Sequence, residues 1–177
     1  MRSSTLNLIP FISEKFGTDF SINMWKQICA NREFELEVAR IYDTGELKIP
    51  IYLSLGQEHI PAAIAAVSKD FLIFAQHRAH SYYLSFGGNK EDLMNQIKGK
   101  QGSASIHLPG IMYGHSGLMG DQIPIAVGAA LGSGKKVLAV CGDASVEEDY
   151  VFGAMAYAVT KKLPVLFICE DNDLSIL

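Results

Sequence analysis

No run of apolar residues in this sequence approaches the ~20 that a bilayer-spanning helix requires, so a spanning helix is excluded. Charge is scarce as well. Asp, Glu, Lys and Arg make up 19% of the chain, against roughly 25% in an ordinary domain. Neither sign dominates: the formal net charge is −4, so neither a nucleic-acid footprint nor a nucleic-acid partner is expected. The three cysteines, Cys29, Cys141 and Cys169, lie far apart and form no CxxC or zinc-type pair. They read as reduced, buried thiols of a reducing compartment. The first residues, MRSSTLNLIPFISEKFG, carry one arginine and a short apolar patch broken by Pro10. They lack a long apolar stretch and a small-residue cleavage site, so they do not read as a signal peptide, and a cytoplasmic location is expected. Hydrophobic residues make up 49% of the 177, enough for one domain with a real core. Disorder, collagen-like repeats and a disulfide scaffold are excluded. A surface so poor in charge is a first hint of an obligate oligomer.

The periodicity predicts a long amphipathic helix from Ser21 to about Thr44, with Ser21 as its N-cap and Gly45 as its stop. A second helix is expected over Gln57–Ser68. A buried strand is expected over Phe71–Ala75, and helical stretches from about Arg78 to the Gly87-Gly88 break and over Lys90–Lys98. Residues Gly99–Met119, rich in Gly, Ser and His, show no period and read as one long functional loop. Beyond it the pattern alternates: helix Asp121–Leu131, strand Lys136–Cys141, helix Val146–Lys161, strand Pro164–Cys169. Continuous apolar strands alternating with helices predict an α/β fold with a doubly wound parallel sheet. Only three strands are visible, and the last residues follow a central-looking one. A sheet completed by another chain, or a longer protein, is expected.

The sharpest constellation is Gly142-Asp143 after one strand and Asp171-Asn172 after the next. Ligands of open α/β sheets bind outside the carboxyl ends of the strands. Asp143 offers a hard anionic oxygen and Asn172 a neutral carbonyl oxygen. With a backbone carbonyl, water and two phosphate oxygens they complete an octahedral magnesium site. The helix expected from Val146 would turn its amides toward the same diphosphate. Taken singly, Asp143 reads equally as a helix cap and Asn172 as a turn residue; their pairing at two strand ends favours the metal. Arg78 is a planar donor suited to a diphosphate oxygen, with a surface ion pair as the alternative. His77, His80 and His107 are candidate proton donors or carboxylate contacts, against ordinary structural roles.

Over nearly its whole length the sequence resembles the alpha subunits of the thiamine-diphosphate-dependent first component of 2-oxo acid dehydrogenases. The resemblance is carried by six ordered blocks: Arg32-Glu33-Phe34-Glu35; Gly56-Gln57-Glu58; His77-Arg78-Ala79-His80; Gly99-Lys100 with Gly102-Ser103-Ala104-Ser105-Ile106-His107; Gly117-Leu118-Met119-Gly120 with Gln122-Ile123-Pro124; and Gly142-Asp143-Ala144 through Lys162-Leu163-Pro164 to Asp171-Asn172. It implies a single thiamine-diphosphate-binding domain over 1–177, with 1–45 as an N-terminal helical extension. It implies cofactor contacts from His77, Arg78, Gly117, Met119, Gly142, Asp143, Ala144, Ser145 and Asn172. Magnesium would be held by Asp143, Asn172 and the main chain at Leu174, and catalytic histidines would stand at His107 and His80. The implied cofactors are thiamine diphosphate and Mg2+. The implied substrate is a small 2-oxo acid or a ketose. The implied partner is a beta-type subunit that supplies the activating glutamate within a heterotetramer.

The sequence departs from the family pattern in places. Ala144 stands for the third residue of the Gly-Asp-Gly motif, Gly153 and Ala156 for a usual glutamate and asparagine, and Tyr52 for a frequent active-site histidine. Two further readings therefore stand beside a decarboxylating dehydrogenase subunit. One is a transketolase-like ketol or acyl transferase of a biosynthetic pathway. The other is an interaction subunit that has lost the cofactor. No strand is followed by GxGxxG, which excludes a dinucleotide protein of that type.

Overall fold

The structure, a computed structural model, describes residues 14–67, 69–99, 108 and 110–172. Its elements are α1 (Thr18–Asp43), α2 (His59–Val67), β1 (Leu72–Gln76), α3 (His80–Ser85), α4 (Lys90–Lys98), β2 (Met112–Ser116), α5 (Gln122–Ser133), β3 (Val137–Gly142), α6 (Asp143–Val146), α7 (Asp149–Thr160) and β4 (Val165–Glu170). Among the described residues, no helix is long and apolar enough to cross a membrane.

The four strands form one parallel sheet in the order β2-β1-β3-β4. Side chains alternate across the pleat, so consecutive apolar residues feed two cores. Ile73, Ala75, Leu138 and Val140 face the core shared with Phe34 and Val38 of α1 and Leu93 and Ile97 of α4. Phe74, Val137, Ala139 and Cys141 face the other, against Ile123 and Ala126 of α5 and Val151 of α7. Helices thus cover both faces, and the expected α/β doubly wound parallel sheet is the architecture found. From β1 the chain steps to β2 on one side, then crosses to β3 on the other. The topological switch therefore lies between β1 and β3, where a ligand crevice belongs.

Five local expectations are corrected. Helix α1 begins at Thr18 after Gly17, so Ser21 is no N-cap; its hydroxyl donates back to the Gly17 carbonyl at 3.2 Å. The buried side of α1 is partly polar: Asn31 and Glu35 are buried, whereas Ile22, Trp25 and Leu36 are exposed. The expected helix Val146–Lys161 is two helices, α6 and α7, because the chain breaks at Glu147-Glu148. The expected loop Gly99–Met119 contains β2, an edge strand whose Met112-Tyr113-Gly114-His115-Ser116 shows no apolar run. Finally, β4 is a half-exposed edge strand among the described residues, not a central one. The helix stop held: Gly45 follows Thr44 at φ 76°, a left-handed conformation that costs glycine little.

Candidate functional site

A cavity of about 330 Å3 opens where all four strands end. From β1 it receives Gln76, His77 and Arg78, and after β2 it receives Gly117 and Met119. From β3 come Gly142, Asp143, Ala144 and Ser145, after β4 comes Asn172, and Tyr52 forms a wall. Apolar strands end in polar residues here because the chain leaves the covered sheet at this edge. Nine of the residues expected at the site are brought together: His77, Arg78, Gly117, Met119, Gly142, Asp143, Ala144, Ser145 and Asn172. His107 and Leu174 lie outside the described residues.

His80 does not line the cavity. Its ring is wholly buried, Nδ1 stands 3.1 Å from Glu35 Oε2, and it meets Phe34 edge-on at 5.8 Å. The partner carboxylate is equally buried. Burial pushes the Glu35 pKa up, but the hydrogen bond and charge of His80 and two hydrogen bonds from Ser54 outweigh it. The net shift is downward from the ordinary carboxylate value. Glu35 and Arg32, one turn apart on α1, reach two other sequence blocks. Arg32 makes a forked pair with Glu58, Nε to Oε1 and Nη2 to Oε2 at 2.9 Å, and Glu58 also accepts from the Gly56 amide at 3.0 Å. None of these residues lines the cavity.

Within the cavity the charge distribution is uneven. Arg78 is half-buried, and its Nε is a buried donor without a hydrogen-bond partner among the described residues. A guanidinium donor left in this way at a cavity wall calls for an anion. Beside it, burial and the charge of Arg78 lower the His77 pKa, which keeps the imidazole neutral near pH 7. The His77 ring sits 4.3 Å from that of Tyr52. Met119 is fixed from behind, because its carbonyl accepts from the Tyr150 hydroxyl. The following Gly120, at φ 79°, leaves no room for a side chain: a Cβ there would lie 2.4 Å from Val151 Cγ2.

Three further residues were not singled out from the sequence. Gln76, Glu170 and Tyr82 are all buried, and both Gln76 Nε2 and the Tyr82 hydroxyl donate to the Glu170 carboxylate at 2.9 Å. Burial pushes the Glu170 carboxyl up, against the hydrogen bonds of Tyr82 and Gln76. A polar residue closing an otherwise apolar strand, at both Gln76 and Glu170, is the signal that could have marked those two; nothing local marks Tyr82.

Residues 28–176 match the family of the dehydrogenase E1 component. The chain belongs to that family. It is similar to the mitochondrial pyruvate dehydrogenase E1 component subunit alpha of Dictyostelium discoideum, 30% identical across 92% of this chain and 47% of the relative. The mitochondrial counterpart from Saccharomyces cerevisiae is 27% identical across 92% of this chain and 42% of its own length. The pyruvate dehydrogenase E1 component subunit alpha of Rickettsia bellii is 28% identical across 87% of this chain and 52% of its own length. The chain spans about half the length of the curated relatives it matches. Within the dehydrogenase E1 family, the resemblance drawn from the six blocks is to the alpha subunits, which is what these relatives are.

Proposed function

We propose that this chain is the alpha-type subunit of a thiamine-diphosphate-dependent enzyme acting on a 2-oxo acid by decarboxylation and acyl transfer, and that it holds the diphosphate and magnesium end of the cofactor. The observation that carries this reading is the cavity at the switch point, with Arg78 Nε unpartnered in its wall. The residues present fit a magnesium diphosphate. Arg78 supplies the cationic fork, Gly142 and Gly117 let the backbone approach, and Asp143 and Asn172 supply hard oxygen ligands from the ends of adjacent strands. The main-chain carbonyl at Leu174 is the third protein ligand in this reading. When bound, thiamine diphosphate supplies the carbanion that attacks the substrate ketone.

The chain's own residues bind and orient. Met119, held by Tyr150 and Gly120, supports the thiamine ring region. Neutral His77 offers a nitrogen lone pair for a substrate or cofactor proton, beside the Tyr52 ring. His107, outside the described residues, is the candidate acid. Among the described residues no group of three His, Cys, Asp or Glu side chains could hold a metal alone. Asp143 and Asn172 would hold magnesium jointly with a diphosphate. A beta-type subunit supplies the activating glutamate. The apolar outer side of α7, with Phe152 at 69% and Val159 at 74% exposure, supports assembly with partner chains. Of the three thiols expected to be buried, only Cys141 is; Cys29 and Cys169 are exposed, and a cytoplasmic location stays part of the proposal.

Calorimetry of the chain with its beta-type partner tests this reading. The complex binds magnesium thiamine diphosphate, and Asp143→Ala abolishes the magnesium-dependent part. Unchanged binding in that variant overturns the metal assignment. A wild-type complex that binds no cofactor would make this an interaction subunit.

A further inference from the structure

We propose that Gln76, Glu170 and Tyr82 form a brace across the sheet that positions Arg78 and Asn172 for the cofactor diphosphate, so that these three are positioning residues of the site. The inference rests on the cofactor reading above. The two groups that reading needs, Arg78 after β1 and Asn172 after β4, belong to strands that are not neighbours, because β3 runs between them. The gap between their strand ends is therefore set by two successive backbone ladders unless a side chain spans it. The β3–β4 ladder reaches the last residue of each strand, where Gly142 faces Glu170. Beyond that pair β4 is an edge strand with nothing on its other side among the described residues.

A side chain does span the gap. Gln76, the last residue of β1, reaches over β3 to Glu170, the last residue of β4, with Nε2 2.9 Å from Oε2. The crossing passes above Gly142. A Cβ at that position would lie 3.1 Å from Gln76 Oε1 and 3.7 Å from an Arg78 guanidinium nitrogen. Gly142 has φ −86°, an ordinary value for any residue. A Cβ at this point would press on the Gln76 end of the bridge, whereas Arg78 lies at ordinary contact distance. The second oxygen of Glu170 accepts from the Tyr82 hydroxyl at 2.9 Å. Tyr82 sits on α3, four residues past Arg78, and is 1% exposed. The segment carrying Arg78 is therefore tied to β4 on both sides, by Gln76 before it and by Tyr82 after it. Each atom of the brace is buried, so each lost bond leaves an unsatisfied polar group and the strand ends must shift to relieve it.

The test uses Tyr82→Phe, which removes one hydroxyl that does not line the cavity, and Gln76→Leu, each in complex with the beta-type partner. Calorimetry with magnesium thiamine diphosphate gives the dissociation constant, and thermal unfolding without cofactor gives stability. Ile97→Val in the α4 core serves as the control for a merely structural loss. The brace predicts a dissociation constant raised about tenfold in Tyr82→Phe, the order expected for one buried hydrogen bond. The double variant loses less than the product of the two single losses, because both act through Glu170. Ile97→Val melts earlier but binds as the wild type does. If Tyr82→Phe also melts earlier and binds as the wild type does, the residues only stabilise the fold and the proposal is overturned. A wild type that binds no magnesium thiamine diphosphate overturns the cofactor reading instead. Amide exchange at 140–145 and 168–172 then decides the brace by itself: exchange faster in Tyr82→Phe than in Ile97→Val upholds it, and equal exchange rejects it.

Discussion

Glu35 on α1 and His80 on α3 meet at 3.1 Å with neither side chain exposed to solvent, so the last residue of the Arg32-Glu33-Phe34-Glu35 block is bonded to the last of His77-Arg78-Ala79-His80. Ser54 extends the contact: its hydroxyl lies 2.6 Å from Glu35 Oε1 and 2.7 Å from the Ser81 hydroxyl. One turn earlier on α1, Asn31 donates to Ser85 at 2.9 Å. A buried polar seam therefore joins α1 to α3, the helix that immediately follows Arg78. None of its residues lines the cavity at the strand ends; it fixes α3, which begins two residues after Arg78, against α1.

The seam makes stability sensitive to acid. Glu35 has a folded pKa below its ordinary value, chiefly because His80 and Ser54 overcome the cost of burial. A depressed carboxylate contributes stability that is present above the unfolded value and is lost as pH falls through the folded one. Urea unfolding should therefore show stability falling progressively below about pH 4.5, the ordinary carboxylate range. Glu35→Gln should cost about 1–3 kcal/mol at pH 7 and flatten that acid limb. An unchanged acid limb in the variant would show that the proton is taken up elsewhere.

Arg78 is expected to be irreplaceable by lysine. Its Nε is the unpartnered buried donor, and a lysine ammonium carries no equivalent atom at that depth nor a planar fork for a phosphate. Losing one or two charge-assisted bonds of about 1.5–3 kcal/mol weakens diphosphate binding roughly tenfold to a hundredfold. Competition with inorganic pyrophosphate, read by calorimetry on the complex, measures this directly. Folding stability should be preserved in Arg78→Lys.

Much of this site is legible in the sequence because its residues sit at punctuation. Gly142-Asp143 directly follows an apolar run and Asp171-Asn172 follows one after Glu170, and the strand-end rule then puts them on one rim. Strand β2 is illegible for the opposite reason. Its Gly114, His115 and Ser116 show neither an apolar run nor alternation, and only pairing with Phe74, Ala75 and Gln76 makes them a strand. The seam on α1 defeats periodicity in another way. Asn31 and Glu35 lie on the buried side beside Phe34 and Val38, while Trp25 and Leu36 face outward, so hydrophobicity alone marks the wrong stripe. His80 reads as a reactive group until Glu35, 45 positions earlier, is seen beside it. No local pattern carries a contact of that separation.

Magnesium binding should depend on the diphosphate. The described residues lining the cavity offer one carboxylate, Asp143, and two amides, Asn172 and the Gln76 already bonded to Glu170, and no group of three acidic, cysteine or histidine ligands. A small, strongly hydrated cation keeps several waters and is held by one or two carboxylates plus substrate phosphates. Titration with magnesium alone should give no heat assignable to this site. Titration with magnesium after thiamine diphosphate, or after pyrophosphate, should give one site per chain. Tight binding without a diphosphate would contradict the ligand set.

Gly120 and Gly45 separate two costs of adding a methyl group. Both have left-handed backbone, φ 79° and φ 76°. Nothing lies within 4 Å of a Cβ at Gly45, whereas one at Gly120 would meet Val151 Cγ2 at 2.4 Å. Gly45→Ala should therefore cost about 1 kcal/mol, the backbone cost alone. Gly120→Ala adds overpacking of about 1–3 kcal/mol. It should also displace Met119 and so weaken cofactor binding, while Gly45→Ala leaves binding unchanged. Denaturant unfolding and calorimetry on the two variants give both comparisons.

The outer side of α7 carries the last expectation. Only Val151 and Ala158 of this helix are buried, although most of its residues are apolar. Phe152 and Val159, two turns apart on one face, are 69% and 74% exposed. A helix apolar on every side is stable only when something covers it, and in the proposed assembly a partner chain does. Phe152→Glu should then leave the stability of the isolated chain within about 0.5 kcal/mol, as surface substitutions do. The same change should shift the sedimenting species of the complex toward smaller assemblies. Equal sedimentation of wild type and variant at micromolar concentration would show that this face stays in water, and the assembly would have to be sought at the edge of β4.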